Sequence, residues 1–404
     1  MNRAISEQSL GLYLHWPFCE SKCGYCDFYS VPLKGRDVAP LLSAFAKDLR
    51  LRVAECNAPI DTIFWGGGTP TTLEHENLAV ALGCIRDAVE DHPVCEFTIE
   101  ANPATVDDAK ARVLVEHSVT RLSLGAQSFH QNELDALERL HIPSDVPEAI
   151  RIIRSAGITN YNIDLIFGVG GQTLDSWKES LARAVDLDPP HLACYGLTYE
   201  HGTSLTKQLK LGTIQACDEQ LEADMFLACK DFLESCGYEH YELSNYAKPG
   251  HQCLHNLIYW RNGSYQAVGP SAAGCLRDVR FKNVCDVNEY IRSINEHGHA
   301  IAERETISNT ERALECLMMR MRLVDGLDLV AFQTCTGINL AENCREAVVR
   351  LTQAGLIECD HAKLCMTRRG LLMADTVIRE LASELDPPSG MSLNVITSRP
   401  SVDS

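Results

Sequence analysis

The chain has 404 residues, of which 45% are hydrophobic and 23% are charged, and its formal net charge is −19. This composition is typical of a folded protein of two or three domains, and the negative charge argues against binding to a nucleic-acid backbone. No run of about 20 apolar residues occurs, so we predict no membrane span. Residues 1–16 lack a secretory signal pattern and most of the 18 cysteines stand singly, so we expect reduced thiols and a cytoplasmic protein.

Strand-like and helix-like segments alternate through the first half of the chain. We predict strands at 10–16, 61–67, 95–102, 120–128, 161–169 and 191–199. The helix-like stretches lie near 37–56, 74–91, 107–117, 130–140, 145–156 and 173–186. Such alternation predicts βαβ units and a parallel sheet. We expect an α/β fold in which the sheet curls into a partial (β/α)6 barrel, with a Rossmann-type open sheet as the alternative.

The alternation ends near residue 215, and the chain then changes character. We predict a core barrel at 1–215, an extension at 216–303, a C-terminal, mostly helical, winged-helix-like domain at 304–385 and a disordered tail at 386–404. The extension carries His255, which we expect near the barrel mouth. The acidic chain favours a structural or partner role for the winged-helix-like domain over DNA binding.

Three cysteines follow the first predicted strand. Cys19, Cys23 and Cys26 have a Cys-x3-Cys-x2-Cys spacing, which suits three thiolate ligands on one face of a metal centre. Closed structural zinc sites and all-cysteine iron–sulfur sites need four ligands, so a distant residue completes the shell or one position stays open. A zinc ion held by the three thiolates and a histidine such as His15 is one alternative.

Glycine and polar residues lie at the ends of the other predicted strands. They are Gly67, Gly68 and Thr69 after the second strand, Glu100 at the end of the third, Gln127 at the end of the fourth and Asp164 in the fifth. In α/β barrels the loops at the carboxyl ends of the strands build the active site. Glycines let backbone approach a ligand closely, and the polar side chains offer donors and acceptors. We therefore predict a ligand site here, although Asp164 alone could also cap a turn.

These motifs resemble those of the radical S-adenosylmethionine (SAM) enzymes. The cysteine loop with Tyr25 carries the general likeness. The segments WGGGTPT (65–71), IEANP (99–103), GAQSF (125–129) and NIDLIFG (162–168) resemble the coproporphyrinogen III oxidase-like branch. The resemblance implies a [4Fe-4S] cluster held by Cys19, Cys23 and Cys26, with SAM chelating the open iron. It also implies an electron donor that reduces the cluster.

The resemblance also implies roles for single residues. Contacts to the cluster-bound SAM are expected from Tyr13, Gly67 and Glu100, and a neighbouring second-SAM or substrate space is expected to be lined by Tyr25, Gly68, Thr69, Gln127, Arg139 and Asp164. Arg139 lies in the helix-like segment ELDALERLH, where a solvated helix arginine is the alternative. The family usually has a proline where this chain has Gly170.

Two further features concern the choice between members of this branch. Phe28 stands where the porphyrinogen-decarboxylating oxidase has another cysteine, and HNLIYW (255–260) resembles the His-Asn-x-x-Tyr-Trp motif of the HemW haem chaperones. In that reading His255 is an axial ligand of haem iron, and Tyr259 and Trp260 pack on the porphyrin. We predict a haem chaperone that passes haem to an acceptor protein. An oxygen-independent coproporphyrinogen III oxidase is the alternative, and HNLIYW could also be a strand that docks the second domain.

Overall fold

The structure is a computed structural model that describes residues 9–385. The predicted disordered tail at 386–404 lies outside the described residues. The strands are β1 (Leu10–Trp16), β2 (Phe18–Cys19), β3 (Val31–Pro32), β4 (Ile60–Gly67), β5 (Glu96–Ala101), β6 (Arg121–Gln127), β7 (Tyr161–Phe167), β8 (His191–Gly196), β9 (Glu239–Glu242), β10 (Asn245–Ala247), β11 (Ser264–Val268), β12 (Ala273–Leu276), β13 (Val279–Asn283), β14 (Ile301–Thr306), β15 (Leu327–Asp328), β16 (Ile357–Cys359) and β17 (Lys363–Met366).

Helices connect most of these strands. They are α1 (Ala39–Ala54), α2 (His75–Ala88), α3 (Asp108–Glu116), α4 (Gln131–Ala136), α5 (Asp145–Ala156), α6 (Leu174–Asp186), α7 (Ser204–Lys210), α8 (Glu219–Ser235), α9 (Leu254–Trp260), α10 (Val287–His297), α11 (Asn309–Arg320), α12 (Leu329–Thr336), α13 (Leu340–Asn343), α14 (Arg345–Gln353), α15 (Arg368–Leu372) and α16 (Ala374–Leu385). None of the helices between residues 9 and 385 is long and apolar enough to cross a bilayer.

The main sheet has the strand order β14-β13-β12-β11-β1-β4-β5-β6-β7-β8-β10-β9. The six predicted strands are β1 and β4 to β8, and they pair in parallel as consecutive neighbours. This arrangement confirms the predicted α/β core. The extension adds more than we predicted: β11 pairs in parallel with β1, while β12 to β14 and the pair β9 and β10 continue the two edges in antiparallel fashion.

The two faces of β1 explain how the sheet positions the site. Leu12 and Leu14 point into the main apolar core, where they are buried beneath the covering helices. Tyr13 and His15 point to the opposite, inner face, where the Tyr13 hydroxyl lies 2.9 Å from Nδ1 of His15. Successive side chains of a strand alternate between faces, so a strand covered by helices outside can present polar groups inside. The inner face of the barrel therefore carries the polar residues of the core strands.

The C-terminal region has an apolar core of its own. Leu317, Phe332, Leu364 and Val377 are buried in it. The hairpin β16–β17 pairs with β15 and lies between α14 and α16, as the winged-helix-like pattern predicts. The boundary that we placed between residues 303 and 304 falls inside β14, because that strand pairs with β13 of the main sheet.

Candidate functional site

The cysteine loop is closed at its base by a short strand pair. Phe18 and Cys19 pair with Val31 and Pro32, and the backbone N–H of Leu33 donates to the Cys19 carbonyl at 2.9 Å. All three cysteines are free thiols and are partly buried. The loop therefore begins directly after β1 and holds its thiols at the carboxyl ends of the strands.

The glycine run after β4 packs tightly against this loop. The backbone N–H of Gly67 donates to Glu100 Oε2 at 3.0 Å, and Gly67 has φ +93°, a conformation that favours glycine. A Cβ at Gly67 would lie 2.3 Å from the His15 ring, and one at Gly68 would lie 2.5 Å from the Phe18 carbonyl oxygen. The run is thus glycine because protein atoms on both sides leave no room for a side chain.

Arg139 reaches the cysteine loop from the far side. It follows α4 in the chain, and its Nη1 donates to Cys23 Sγ at 3.4 Å while Nη2 donates to the Gly125 carbonyl at 2.6 Å. Its Nε is buried and has no hydrogen-bond partner among the described residues. The alternative of a solvated helix arginine is therefore wrong.

A pocket opens between these elements. Its lining includes Cys19, Cys23, Thr69, Asn102 and Arg139. The Thr69 hydroxyl donates to Cys19 Sγ at 3.6 Å. Two polar groups of this lining, Thr69 and Arg139, both donate hydrogen bonds to cysteine thiols. The structure thus brings together the cysteine loop, the glycine run and Arg139.

Burial disfavours the thiolate form of Cys19 and Cys26 when no cation is bound. It raises the pKa of Cys26 to about 12, and it raises the pKa of Cys19 above its ordinary value despite the hydrogen bond from Thr69. A bound metal ion reverses this, because a coordinating thiol is deprotonated. The donor set therefore suits a positively charged iron centre.

The arrangement fits a multi-iron cluster better than a single zinc ion. Between residues 9 and 385 no three His, Cys, Asp or Glu side chains converge on one metal position. The zinc alternative also needs a nitrogen of His15, but Nδ1 lies 2.9 Å from the Tyr13 hydroxyl and Nε2 lies 2.8 Å from the Tyr29 carbonyl oxygen. A [4Fe-4S] cluster does not need three side chains that meet at one metal position, because each thiolate bonds a different iron of the cluster.

Gln127 and Asp164 face the barrel interior near the pocket. Gln127 ends β6, is 8% exposed and has φ +65°, a conformation that is costly outside glycine and is concentrated at functional sites. Asp164 lies within β7, where its carboxylate accepts from Asn162 Nδ2 at 2.7 Å and from the Ser123 hydroxyl at 3.3 Å. Burial raises the pKa of Asp164. It is a satisfied interior carboxylate and not the cap of a turn.

The two predicted tyrosines lie in different surroundings. Tyr13 stands on the inner face of β1 and stacks on Phe64, with ring centroids 6.4 Å apart. Tyr25 lies between Cys23 and Cys26 and packs against an apolar cluster that includes Leu137 and Ile166. Burial raises the pKa of both phenols, so both stay neutral near pH 7.

His255 lies at the other end of the barrel. Its Nδ1 is 2.8 Å from the hydroxyl of Thr62, near the amino end of β4, and its backbone N–H donates to Oε1 of Glu96, the first residue of β5, at 2.9 Å. The expectation that His255 lies near the barrel mouth is wrong, because α9 packs against the amino ends of the strands. The motif HNLIYW is also a helix and not a docking strand.

The imidazole of His255 is fully enclosed in this position. It is 0% exposed, stacks on Phe64 with centroids 5.4 Å apart, and has Nε2 2.8 Å from the Tyr259 hydroxyl. Both ring nitrogens are thus engaged. Burial lowers the pKa of His255 to about 3. The side chain is a neutral, satisfied core histidine in this conformation.

Helix α9 also contacts the C-terminal domain. The guanidinium of Arg322 lies 5.9 Å from the centre of the Trp260 ring, and Nη2 of Arg320 donates to the Arg261 carbonyl at 3.3 Å. The helix is therefore held between the barrel floor and the segment that enters the C-terminal domain.

Sequence reasoning missed the residues that hold α9 in place. Glu96 accepts hydrogen bonds from the backbone N–H groups of Leu254 and His255 and from the Cys253 thiol. Thr62 and Glu96 are polar residues at inward positions, next to the apolar core residues Ile63 and Phe97, and that pattern was the available signal.

Comparisons with known proteins agree with this geometry. The Radical SAM superfamily model matches residues 13–184, and the HemN C-terminal domain model matches residues 307–373. Among solved structures, coproporphyrinogen III oxidase (HemN) from Escherichia coli aligns with a TM-score of 0.80 at 20% identity, covering 95% of this chain and 91% of that chain. At this identity the likeness establishes the fold alone.

Sequence relatives define the family more narrowly. "Heme chaperone HemW" of Mycobacterium tuberculosis is 34% identical, covering 93% of this chain and 95% of the relative. The proteins of the same name from Bacillus subtilis and Escherichia coli are each 32% identical, over 92% and 93% of this chain and 99% and 98% of their own lengths. The chain therefore belongs to the HemW family of the radical SAM superfamily.

Proposed function

We propose that this protein is a haem chaperone that binds haem and transfers it to an acceptor protein. The observation that carries the proposal is the identity of 34% over 93% of the chain to a relative named as a haem chaperone. The presence of Phe28, in place of the further cysteine of the decarboxylating oxidase, supports the same choice.

The scaffold has residues suited to a [4Fe-4S] cluster and SAM. Cys19, Cys23 and Cys26 would bind three irons, which leaves one iron for the amino and carboxylate groups of SAM. When reduced by an electron donor, such a cluster supplies the electron for reductive cleavage of SAM. Glu100 and the Gly67 backbone lie beside the cysteine loop, so they are suited to orient SAM at the open iron.

Arg139, Gln127 and Asp164 would line the space beyond the bound SAM. Arg139 donates to Cys23 Sγ through Nη1, so its positive charge would stabilise a Cys23 thiolate that binds the cluster. Tyr13, Tyr25, Gly68 and Thr69 complete the candidate lining that we proposed from the resemblance.

His255 is the proposed axial ligand of haem, and its surroundings set a condition on that role. Iron can reach neither ring nitrogen while Thr62 and Tyr259 occupy them and the side chain is enclosed. Haem binding at His255 therefore requires α9 to move away from the barrel floor. The neutral imidazole is already the form that binds iron, since its pKa is lowered to about 3.

Oxygen-independent coproporphyrinogen III oxidase activity is the second candidate. The observation that favours it is the shared fold, with a TM-score of 0.80 over 95% of the chain. Phe28 opposes it. Fold alone does not fix function, so we rank this activity below haem transfer.

A haem titration of the reconstituted protein tests the proposal. The protein is loaded anaerobically with iron and sulfide, and haem is added to wild type, His255→Ala and the control His251→Ala, which removes an exposed histidine four positions earlier. We expect stoichiometric haem binding by wild type and His251→Ala, and at least about tenfold weaker binding with a changed spectrum for His255→Ala, since the axial ligand is lost. Equal affinity and spectra in all three would remove His255 from the role.

A further inference from the structure

Helix α7 packs directly on the middle of the cysteine loop. The backbone N–H of Leu205 donates to the Gly24 carbonyl at 2.8 Å. A Cβ placed on Gly24 would lie 2.4 Å from Leu205 Cδ1, so the loop approaches the helix as closely as a glycine permits. The backbone of Gly24 is outside the left-handed region, so only space restricts this position to glycine.

Glu138 ties the same helix to the segment that carries Arg139. Its Oε1 accepts hydrogen bonds from Gln208 Nε2 at 2.8 Å and from the Ser204 hydroxyl at 3.3 Å. Glu138 has φ +56°, an uncommon conformation that turns the chain so that Glu138 faces α7 while its neighbour reaches Cys23. Two consecutive residues thus connect α7 and a cysteine thiol.

Leu205 is held in place by its packing and cannot readily move away from the loop. It is 3% exposed and belongs to an apolar cluster with Leu137, Ile166 and Leu197, against which Tyr25 also packs. Packed interiors resist added volume, so a side chain at position 24 must displace either the loop or this cluster. Most side chains of the loop are partly or fully exposed, so we expect the loop to be the part that shifts.

We propose that α7 and Glu138 form a brace for the cysteine loop, and that Gly24 and Leu205 are positioning residues for the cluster. The brace, defined as residues 204–208 with Glu138, fixes the central part of the loop between Cys23 and Cys26, whereas the pair β2–β3 fixes its ends. This inference rests on the proposed cluster and not on haem transfer.

Variants that exchange volume across the contact test the brace. Gly24→Ala adds a methyl group, and Leu205→Val withdraws the nearest carbon that the methyl group would meet. Glu138 Cδ, 2.8 Å from the same Cβ position, stays in place, so the double variant should recover in part. Gly83→Ala is the matched control, because the nearest atom to a Cβ there is 3.7 Å away. Two quantities are measured: iron release to a chelator from cluster-loaded protein, and alkylation of Cys23 by iodoacetamide in cluster-free protein, followed by mass spectrometry.

We expect Gly24→Ala to release iron about tenfold faster than wild type, which corresponds to about 1.4 kcal/mol of overpacking. Alkylation of Cys23 should also be faster, and Gly24→Ala/Leu205→Val should recover both rates toward those of wild type and Gly83→Ala. Wild-type rates in Gly24→Ala, or no recovery in the double variant, would overturn the brace. If wild type takes up no iron, the cluster assignment fails, and the alkylation rates still decide on the brace.

Discussion

Buried histidines are a recurrent feature of this molecule at the scale of single residues. His15, His141, His191, His240 and His255 are all at most 7% exposed. Burial lowers the pKa of each, to about 4 for His15, His141 and His240, to about 3 for His255 and well below the usual range for His191. Each side chain is therefore neutral in the folded protein near pH 7.

These histidines make the folded state sensitive to acid. The pKa of each is lower in the folded than in the unfolded chain, so the unfolded chain binds more protons below about pH 6.5. Their contribution to stability is complete above that pH and is lost as the pH falls toward 4. We expect the free energy of unfolding, from urea titrations, to fall between pH 7.5 and 5.5 by about 1.4 kcal/mol for each such histidine.

His240→Phe isolates one of these contributions. The His240 ring stacks on Tyr246 with centroids 4.4 Å apart, and phenylalanine keeps an aromatic ring there without a titrating group. Between pH 7.5 and 5.5 the free energy of unfolding of His240→Phe should fall by about 1.4 kcal/mol less than that of wild type. An identical pH dependence in both proteins would show that the pKa of His240 is not lowered in the folded protein.

At the scale of elements, α9 is the part whose docking controls access to His255. Its first turn is held by Glu96, which accepts from the Leu254 and His255 N–H groups at 3.0 and 2.9 Å. Glu96→Gln replaces one acceptor oxygen with an NH2 group that faces a backbone donor. Lost N-terminal capping typically costs about 1 kcal/mol, so α9 should open more often.

Hydrogen exchange followed by mass spectrometry checks this consequence. Amides of residues 254–260 should exchange about fivefold to tenfold faster in Glu96→Gln than in wild type, and haem association should accelerate with them. Glu116→Gln, an exposed carboxylate on α3, is the control and should leave both rates unchanged. Faster exchange without faster haem association would show that α9 does not limit access to haem.

The elements of the barrel were accessible from sequence because their patterns are local. Each predicted strand and helix of the first half lies within a few residues of its observed bounds, since apolar runs and amphipathic helices alternate there. Helix α9 was harder, because HNLIYW is short and aromatic, and a short run does not distinguish strand from helix. Its position beneath the barrel depends on β11 pairing with β1, a contact between segments that are 254 residues apart.

The parts of the candidate site that come from short sequence motifs could be predicted, and the parts that depend on long-range contacts could not. The cysteine loop, the glycine run and Glu100 come together as expected at the carboxyl ends of β1, β4 and β5. Arg139 could not be located from sequence, because its bonds to Cys23 and Gly125 depend on a turn after α4. The hydrogen bonds from Ser204 and Gln208 of α7 to Glu138 likewise span 66 and 70 positions of the sequence.

At the scale of the whole molecule, the two proposed binding regions occupy opposite ends of one barrel. On β4, Thr62 contacts His255 and Gly67 contacts Glu100. Thr62 and Gly67 are five positions apart on that strand. That separation is about 16 Å along a strand. In the conformation described, the HNLIYW motif that we propose for haem binding is thus remote from the cysteine loop.

The assay that tests haem binding against porphyrinogen decarboxylation most directly presents both tetrapyrroles to one preparation. Cluster-loaded protein is incubated anaerobically with SAM, a reductant, equimolar haem and coproporphyrinogen III, and the tetrapyrroles bound to protein and free in solution are separated by chromatography. We predict that haem elutes with the protein in a stoichiometric amount and that coproporphyrinogen III is recovered unchanged. Free haem together with harderoporphyrinogen or protoporphyrinogen would contradict the account and identify the protein as an oxidase.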